Sequence, residues 1–229
     1  MTHTGKFVVG LALLASTGCI TGKSGDSAAA GPKSAPPVAA PATPPPPGKL
    51  ITWDGDNKTG GKGWASCSKK GECEVTVEMD PKSGRQGAGL RFEAEGPDWM
   101  GFGWNWHSWY PETAGDDITA YKNLSFWIRV DAKDAASAPD PKSVMTWLSC
   151  SCKTNKEEER STAQVRVEDF APDFADGRWH EVVIPVEALL KDKTQTFDRT
   201  TTWEFDLGTW SESKKSFTIF VDEIGFDNR

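Results

Sequence analysis

The segment from Trp99 to Tyr110 carries side chains that could bind a ligand by stacking and by hydrogen bonding. If it is a β-strand, alternate residues point to opposite faces. One face would belong to the core and would hold Met100, Phe102, Trp104 and Trp106. The other face would hold Gly101, Gly103, Asn105, His107 and Trp109. On that second face, the amide and imidazole groups could donate and accept hydrogen bonds, and the indole could stack on an apolar surface. Its glycines favour close approach of a ligand or another backbone, although a covering loop would also explain them.

Further candidates lie on the segment Asn123–Val130 and just beyond it. Apolar side chains recur at every second position of this segment: Leu124, Phe126, Ile128 and Val130. Trp127 and Arg129 would therefore point away from the core, where a large aromatic side chain needs a cover or a use. Trp147 is a similar candidate, with an ambiguous strand phase. We hypothesise that one shallow cleft is lined by Asn105, His107, Trp109, Trp127, Arg129 and Trp147. The alternative is that several of the 11 tryptophans fill the core, as we expect for Trp53, Trp179 and Trp203.

The sequence contains no motif typical of a catalytic site. Adjacent acids occur, as in Glu168-Asp169 and Asp222-Glu223, but glycoside hydrolysis needs two carboxyl groups facing each other across one bond. A Gly-x-Ser-x-Gly elbow, a His-Glu-x-x-His helix and a phosphate-binding loop are all absent from the sequence. We therefore expect a protein that is not an enzyme.

Period-two patterns predict the strands that would position these side chains. The alternating runs are Val75–Met79, Leu90–Ala94, Leu124–Val130, Trp203–Leu207 and Phe217–Val221. Turn signals separate them at Asp80–Gly84, Gly96–Asp98, Ala138–Pro141 and Asp176–Gly177. Only Val186–Lys191, directly after Pro185, suggests a helical turn. Many short strands with almost no helix predict an all-β fold, namely a two-sheet antiparallel β-sandwich of the jelly-roll type.

Four segments together resemble a known family. Ile51–Asp56 opens the domain, Asn123–Val130 and Arg178–Val186 follow, and Phe217–Phe226 closes it. Their order and patterns resemble the galactose-binding-like jelly rolls of carbohydrate-binding modules. The resemblance implies that fold and, since many members bind polysaccharides, noncatalytic glycan binding. Because one fold supports many functions, the activity is implied by association alone.

The resemblance also implies a structural calcium ion. In that family the first and last strands lie together and often hold the ion through carboxylate and carbonyl oxygens. Asp54, Asp56 and Asp222 match those positions, and hard oxygen ligands suit Ca²⁺. Exposed acids in turns are the alternative.

Residues 1–18 resemble a bacterial lipoprotein signal peptide that is cleaved before Cys19. Lys6 precedes an apolar run, Phe7–Ala15, that is too short to span a bilayer. Gly18 precedes the cysteine as in a lipobox, although Ser16 stands where leucine is usual. We expect acylation of Cys19; an ordinary secretory leader is the alternative.

The remainder divides into a linker and a domain. Residues 19–48 are rich in Ala and Pro, which predicts a disordered linker, and residues 49–229 form the predicted jelly-roll domain. The resemblance of the leader implies that the chain is exported to the cell envelope, to the outer membrane or the cell surface. Ile20 rather than Asp follows Cys19, so an inner-membrane retention signal is missing.

Four cysteines follow the leader: Cys67, Cys73, Cys150 and Cys152. An even number in an exported chain predicts disulfides. Cys67 with Cys73 would close a short loop, and Cys150 with Cys152 would close a small strained ring, so cross-pairing of the two clusters is a rival. A four-thiolate zinc site is a further alternative, although the Cys-x5-Cys and Cys-x-Cys spacings depart from the usual pattern.

The charge limits the choice of partners. The net charge is −7, and the sequence holds no run of Lys and Arg, which argues against nucleic acid. We expect a monomer that meets the membrane only through its lipid anchor. Polysaccharide binding is the predicted function. The alternatives are a structural or adhesive envelope protein whose flat tryptophan patch binds a protein partner, and an unrecognised glycoside hydrolase.

Overall fold

In the part of the chain that the structure describes, almost all of the regular secondary structure is β-strand. The computed structural model describes residues 48, 50–56, 61–107, 115–151, 159–191 and 197–229. The strands are β1 (Leu50–Trp53), β2 (Lys62–Cys67), β3 (Glu74–Asp80), β4 (Gly89–Asn105), β5 (Asn123–Ala132), β6 (Met145–Ser151), β7 (Glu159–Ser161), β8 (Val165–Arg166), β9 (His180–Pro185) and β10 (Thr202–Asp227). A 3₁₀ helix spans Pro141–Ser143, and one α-helical turn, α1 (Val186–Leu189), lies where the sequence predicts it. The predictions for residues 1–47, including Cys19, and for Trp109 and Cys152 lie outside these ranges.

The two longest strands, β4 and β10, form a bent antiparallel ribbon. Their register shifts between Ser211 and Lys215 of β10, opposite Gly96 and Asp98 of β4. The sequence predicts a turn at Gly96–Asp98 that ends a strand; the strand instead bends there and continues. Gly96 has a φ of 147° and Asp98 a φ of 71°, conformations that ordinary strand residues avoid. Irregular pairing of this kind bends a strand without ending it.

The bend folds the ribbon back over itself. Phe92 and Phe102 are both on β4, and ten residues of straight strand would separate them by about 33 Å. Their ring centroids are nevertheless 4.8 Å apart. Phe126 of β5 and Phe205 of β10 also meet, at 4.9 Å between centroids. The two halves of the ribbon therefore pack face to face.

The sheet halves on either side of the bend form the two layers of a sandwich. The first layer runs β3, β4, β10, β5 and β9, with β1 paired to the end of β10. The second layer runs β2, β4, β10 and β6, with β7 and β8 both paired to β6. Each of these pairings is antiparallel. The predicted two-sheet antiparallel β-sandwich is confirmed.

The core lies between the layers and follows the period-two pattern. Fully buried side chains include Leu90, Phe92, Met100, Phe102, Leu124, Phe126, Ile128, Phe205 and Leu207. Trp53 and Trp203 are buried, as the sequence predicts. Trp179 is partly exposed beside the guanidinium of Arg129, so its assignment to the core was wrong. It precedes the first residue of β9 and therefore escapes the alternation that buries the strand.

One cysteine pair is joined. Cys67, at the end of β2, forms a disulfide with Cys73. This bond rules out cross-pairing of these two cysteines with the other cluster, and it rules out a four-thiolate zinc site that uses them. Cys150 is buried, and its Sγ accepts the Asp198 N–H at 3.1 Å. The pairing of Cys150 with Cys152 stays a prediction.

Within the described ranges, no helix is both long and apolar enough to cross a membrane.

Candidate functional site

The outer face of the second layer gathers side chains from four neighbouring strands. Trp64 of β2 pairs with Gly103 of β4, Gly103 pairs with Asp206 of β10, and Asp206 pairs with Trp147 of β6. Residues that are opposite each other on adjacent strands share a face. Two indoles therefore flank a glycine and a carboxylate in one row across the sheet.

Glycines leave room for these indoles to lie against the sheet. A Cβ built on Gly103 would overlap Nε1 of Trp64, and one built on Gly101 would lie 2.7 Å from Cζ2 of Trp99. The close approach that the two glycines predict is thus made by tryptophan rings of the same face. The rings of Trp64 and Trp99 are inclined by only 24°, with centroids 6.4 Å apart. They therefore present nearly parallel surfaces.

A third glycine extends this surface towards β6. A Cβ on Gly208 of β10 would lie 3.1 Å from Nε1 of Trp99 and 3.3 Å from Cη2 of Trp147. We call Trp64, Trp99 and Trp147 the indole platform. Trp64 and Trp99 are partly exposed, whereas Trp147 is only 8% exposed. A ligand would therefore meet mainly the first two rings, with the third supporting them.

Two buried carboxylates lie on the same sheet face as the platform, and one of them holds a platform ring in place. Glu204 and Asp206, two residues apart on β10, are 2% and 1% exposed. Nε1 of Trp64 donates to Oε1 of Glu204 at 3.1 Å, and Oγ of Ser149 donates to Oδ2 of Asp206 at 2.8 Å. Buried carboxylates persist where such bonds compensate their lost hydration. The indole of Trp64 is consequently oriented before any ligand arrives.

A separate polar network closes the end of β4. Asn105 is fully buried, and its Oδ1 accepts the backbone N–H of His107 at 3.0 Å. Nε2 of His107 lies 3.1 Å from Oδ1 of Asp116, whose Oδ2 accepts Nε1–H of Trp106 at 2.8 Å. Asn105 therefore stabilises the backbone at the end of β4, while His107 remains exposed at the surface.

Trp127 and Arg129 lie on the outer face of the first layer, across the sandwich from the platform. The guanidinium of Arg85 lies 4.2 Å from the ring centroid of Trp127, and that of Arg129 lies 4.2 Å from the ring centroid of Phe220. One guanidinium therefore lies over each of these rings in a cation–π contact, while Trp127 stays partly exposed.

The six residues predicted to line one cleft are therefore divided. Asn105, His107 and Trp147 belong to the second layer, Trp127 and Arg129 belong to the first, and Trp109 lies outside the described residues. The structure does not form that single cleft. A role in ligand binding for each residue stays a prediction.

Sequence reasoning missed two residues that define the platform. Trp99 stands two positions before Gly101, so the strand phase that places the glycines already places Trp99 beside them. Trp64 gives no comparable signal, because it lies far from the glycines in sequence. Only the register of β2 against β4 brings Trp64 over Gly103.

The three acids of the expected calcium site do not form one cluster. Asp56 accepts the Ala88 N–H at 3.0 Å, and Asp222 accepts the Arg85 N–H at 2.8 Å, so both carboxylates hold the same loop. Among the described residues, which include Asp54, no group of three or more His, Cys, Asp or Glu is arranged to hold a metal. Burial raises the pKa of Asp222 to about 6, because desolvation disfavours the charged carboxylate. Calcium binding stays a prediction.

The fold and the site together define a class of protein. A β-sandwich with flat indoles on an outer sheet face has the architecture of a carbohydrate-binding module. Residues 53–228 match the family described as Carbohydrate binding domain 30, and the chain belongs to that family. The predicted resemblance and the predicted binding of carbohydrate are confirmed.

Solved structures show the same fold at low sequence identity. The family 11 carbohydrate-binding module from Clostridium thermocellum, solved in complex with a β-1,3-1,4-mixed-linked tetrasaccharide, has a TM-score of 0.54 and 14% identity, covering 80% of this chain and 96% of that chain. The family 30 module of the cellulosomal cellulase Cel9D-Cel44B of Clostridium thermocellum has a TM-score of 0.55 and 14% identity, covering 80% and 94%.

One structural neighbour is an enzyme. The β-1,2-glucanase from Parabacteroides distasonis has a TM-score of 0.53 and 13% identity, covering 79% of this chain but only 25% of that chain. The likeness is thus to one part of that protein. No curated protein matches the chain by sequence.

Proposed function

We propose that the indole platform is the surface on which this domain binds a polysaccharide chain. The observation that carries the proposal is the pair of nearly parallel rings of Trp64 and Trp99, 6.4 Å apart, lying over glycines on an outer sheet face. An indole offers a broad apolar surface, and the apolar faces of pyranose rings stack on such surfaces. Because the rings are held by the sheet, little side-chain freedom is lost on binding.

The ligand we propose is a β-linked glucan. The mixed-linked tetrasaccharide bound by the family 11 module supports this choice, since that module shares the fold. A linear glucan also suits a surface made of successive rings on one sheet face. The net charge of −7 makes the protein unsuited to polyanionic glycans, because it would repel uronates.

Isothermal titration of the full-length chain tests this function. Soluble β-1,3-1,4-glucan is the main probe, and a β-mannan and a polygalacturonate are the comparators. We expect saturable binding to the glucan and no detectable binding to the polygalacturonate. Absence of binding to every neutral glucan tested would refute the proposal.

We infer further that the domain binds without hydrolysing its ligand. Glu204 and Asp206 lie on the platform face, and both are almost fully buried and hydrogen-bonded to neighbouring side chains. Neither can face a glycosidic bond as a glycosidase acid must. Prolonged incubation with β-1,3-1,4-glucan should release no reducing ends; release that Asp206→Asn abolishes would favour the hydrolase alternative.

We propose that the protein is displayed on the cell envelope through acylation of Cys19. The support is the leader sequence, in which a short apolar run ends in Gly18-Cys19. The Pro-rich linker would then separate the binding domain from the lipid. Radiolabelled fatty acid should be incorporated into the chain and lost in Cys19→Ala; unlabelled wild-type protein would leave an ordinary secretory leader as the explanation.

The domain would act as a monomer. A protein-binding adhesive role would instead use the same tryptophans as a flat contact surface. Sedimentation of the purified chain should give one monomeric species. Self-association lost in Trp64→Ala would favour the adhesive alternative.

A further inference from the structure

An exposed tryptophan continues the surface beyond the indole platform. Trp210 of β10 is opposite Trp99 of β4 in the register, so its side chain is on the same outer face. Its side chain is 49% exposed, and no other large hydrophobic side chain of the described ranges is classed as exposed. An isolated surface hydrophobic needs no explanation, but one adjoining a binding surface does.

Trp210 is held in a fixed orientation. Its Nε1 donates to Oδ1 of Asp98 at 2.9 Å, and the same carboxylate oxygen accepts the N–H of Trp99 at 3.0 Å. Asp98 has a φ of 71°, which is unfavourable for a residue with a side chain and persists where the surroundings compensate it. One carboxylate thus links the exposed indole to the platform strand.

The disulfide loop supports this arrangement from the side. Ser68, next to the disulfide-bonded Cys67, donates its N–H to the Trp99 carbonyl at 3.0 Å, and its Oγ accepts the Trp99 N–H at 3.1 Å. Nζ of Lys69 lies 3.9 Å from Oδ2 of Asp98. The bend of β4 and the loop therefore keep Asp98 where Trp210 requires it.

We infer that Trp210 and Asp98 form an additional subsite, which takes the sugar unit that follows those stacked on the indole platform. The inference rests on the proposed function. The occupant is a further pyranose of the same neutral glucan chain, because the surface is continuous with the platform and carries an open apolar ring. The carboxylate of Asp98, 31% exposed, can accept a hydrogen bond from a sugar hydroxyl. The affinity of the protein therefore depends on the length of the glucan.

Titration with β-1,3-1,4-gluco-oligosaccharides of increasing length tests this subsite. The full-length wild type, Trp210→Ala and, as a control on the other face, Trp179→Ala are compared. For the longest oligosaccharide we expect Trp210→Ala to weaken binding about tenfold, the order of one aromatic stacking contact. For the shortest oligosaccharide that binds, we expect a change within twofold. Trp179→Ala should match the wild type at every length.

Two further variants separate the ring from its hydrogen bond. Trp210→Phe keeps an aromatic face and should retain part of the gain in affinity with oligosaccharide length. Asp98→Ala removes the hydrogen bond to the Trp210 indole and should lose part of that gain in affinity. Thermal unfolding of each variant checks that the domain remains folded.

The outcomes distinguish this subsite from the platform. A wild type that binds no glucan overturns the proposed function itself. Binding that Trp210→Ala leaves unchanged at all lengths, or weakens equally at all lengths, overturns the subsite while the platform stands. Loss of self-association in Trp210→Ala without any effect on glucan would assign the ring to a protein contact and also overturn the subsite.

Discussion

The two outer faces of this sandwich treat their aromatic rings in opposite ways. On the first layer, Arg85 lies 4.2 Å above the ring of Trp127 and is ion-paired to Glu223 at 2.6 Å. On the second layer, the rings of Trp64 and Trp99 lie over glycines, and among the described residues no Lys or Arg side chain stacks on either ring.

The difference shows that an outward tryptophan is not in itself a binding residue. A guanidinium that stacks on an outward ring occupies the surface that a ligand would use. A glycine beneath the ring lets the ring lie flat against the sheet with its outer surface available. Backbone position alone, which places Trp127 outward just as it places Trp99, does not distinguish the two cases.

Removing the platform rings should have the largest effect. In the double variant Trp64→Ala/Trp99→Ala we expect affinity for β-1,3-1,4-glucan to fall about 30- to 150-fold, because each stacked ring contributes about 1–1.5 kcal/mol. Isothermal titration measures the change.

Trp127→Ala is the matched control on the opposite face. It should bind the glucan within twofold of the wild type. If Trp127→Ala loses binding and the double variant keeps it, the assignment of the two faces is reversed.

Asp222, on the first layer, should make the free energy of unfolding depend on pH. Because the pKa of Asp222 is raised from 3.8 to about 6 in the folded state, the folded protein holds this proton more tightly than the unfolded chain. The stabilisation that comes from protonated Asp222 is fully present below about pH 4 and is lost as the pH rises through about 6. We expect a decrease of the order of 1–3 kcal/mol in the free energy of unfolding, measured by urea denaturation with chelator present.

Asp222→Asn should flatten this dependence. Added calcium chloride offers a second comparison: if the ion binds at Asp222, it should stabilise the protein most at higher pH, where the carboxylate is charged. Identical curves with chelator and with calcium would contradict the expected calcium site.

Filling the space beneath a platform ring should have a moderate effect. In Gly103→Ala the new methyl group would displace Trp64, and it would also lie 2.5 Å from Oδ1 of Asp206. We expect glucan affinity to fall about tenfold and stability to fall by about 1–3 kcal/mol, as in other overpacked sites.

Gly177→Ala serves as the control for this change. Gly177 has a φ of 82° and open space around it, so alanine should lower stability without touching the platform. A Gly103→Ala variant with wild-type affinity would show that the ring position does not matter for binding.

Uncovering Trp127 should have the smallest effect. Arg85→Ala removes a cation–π contact and a partly exposed ion pair, which together contribute about 1 kcal/mol. Chemical denaturation should show this loss, and glucan affinity should not change. If Arg85→Ala gains glucan binding at the ring of Trp127, then the stacked Arg85 side chain is the reason that the first layer does not bind glucan.

Strand alternation allowed the layers and their faces to be predicted from the sequence. Leu124, Phe126 and Ile128 are buried as expected, and Trp127 between them faces outward. The bend at Gly96–Asp98 could not be predicted, because the same residues are typical of a turn. Whether such residues end a strand or bend it depends on the pairing with β10, which begins more than one hundred residues later.

The candidate site was predictable only in part, for the same reason. Gly101 and Gly103 mark a close approach, but the sequence does not say what approaches. Trp64 reaches them through pairing of β2 with β4, and Trp147 through pairing of β6 with β10. Arg85 covers Trp127 from a loop, at a position that no periodicity indicates.

By itself the sequence determined that the fold is all-β and which face of each alternating run is buried. It also gave Cys67–Cys73 as one option for a disulfide. These properties depend on local spacing along the chain. Tertiary structure alone decided which tryptophans meet, which are covered and which carboxylates lie behind them. Those contacts join residues from distant strands, and their geometry is set by the register between strands and by the fold of the ribbon at its bend.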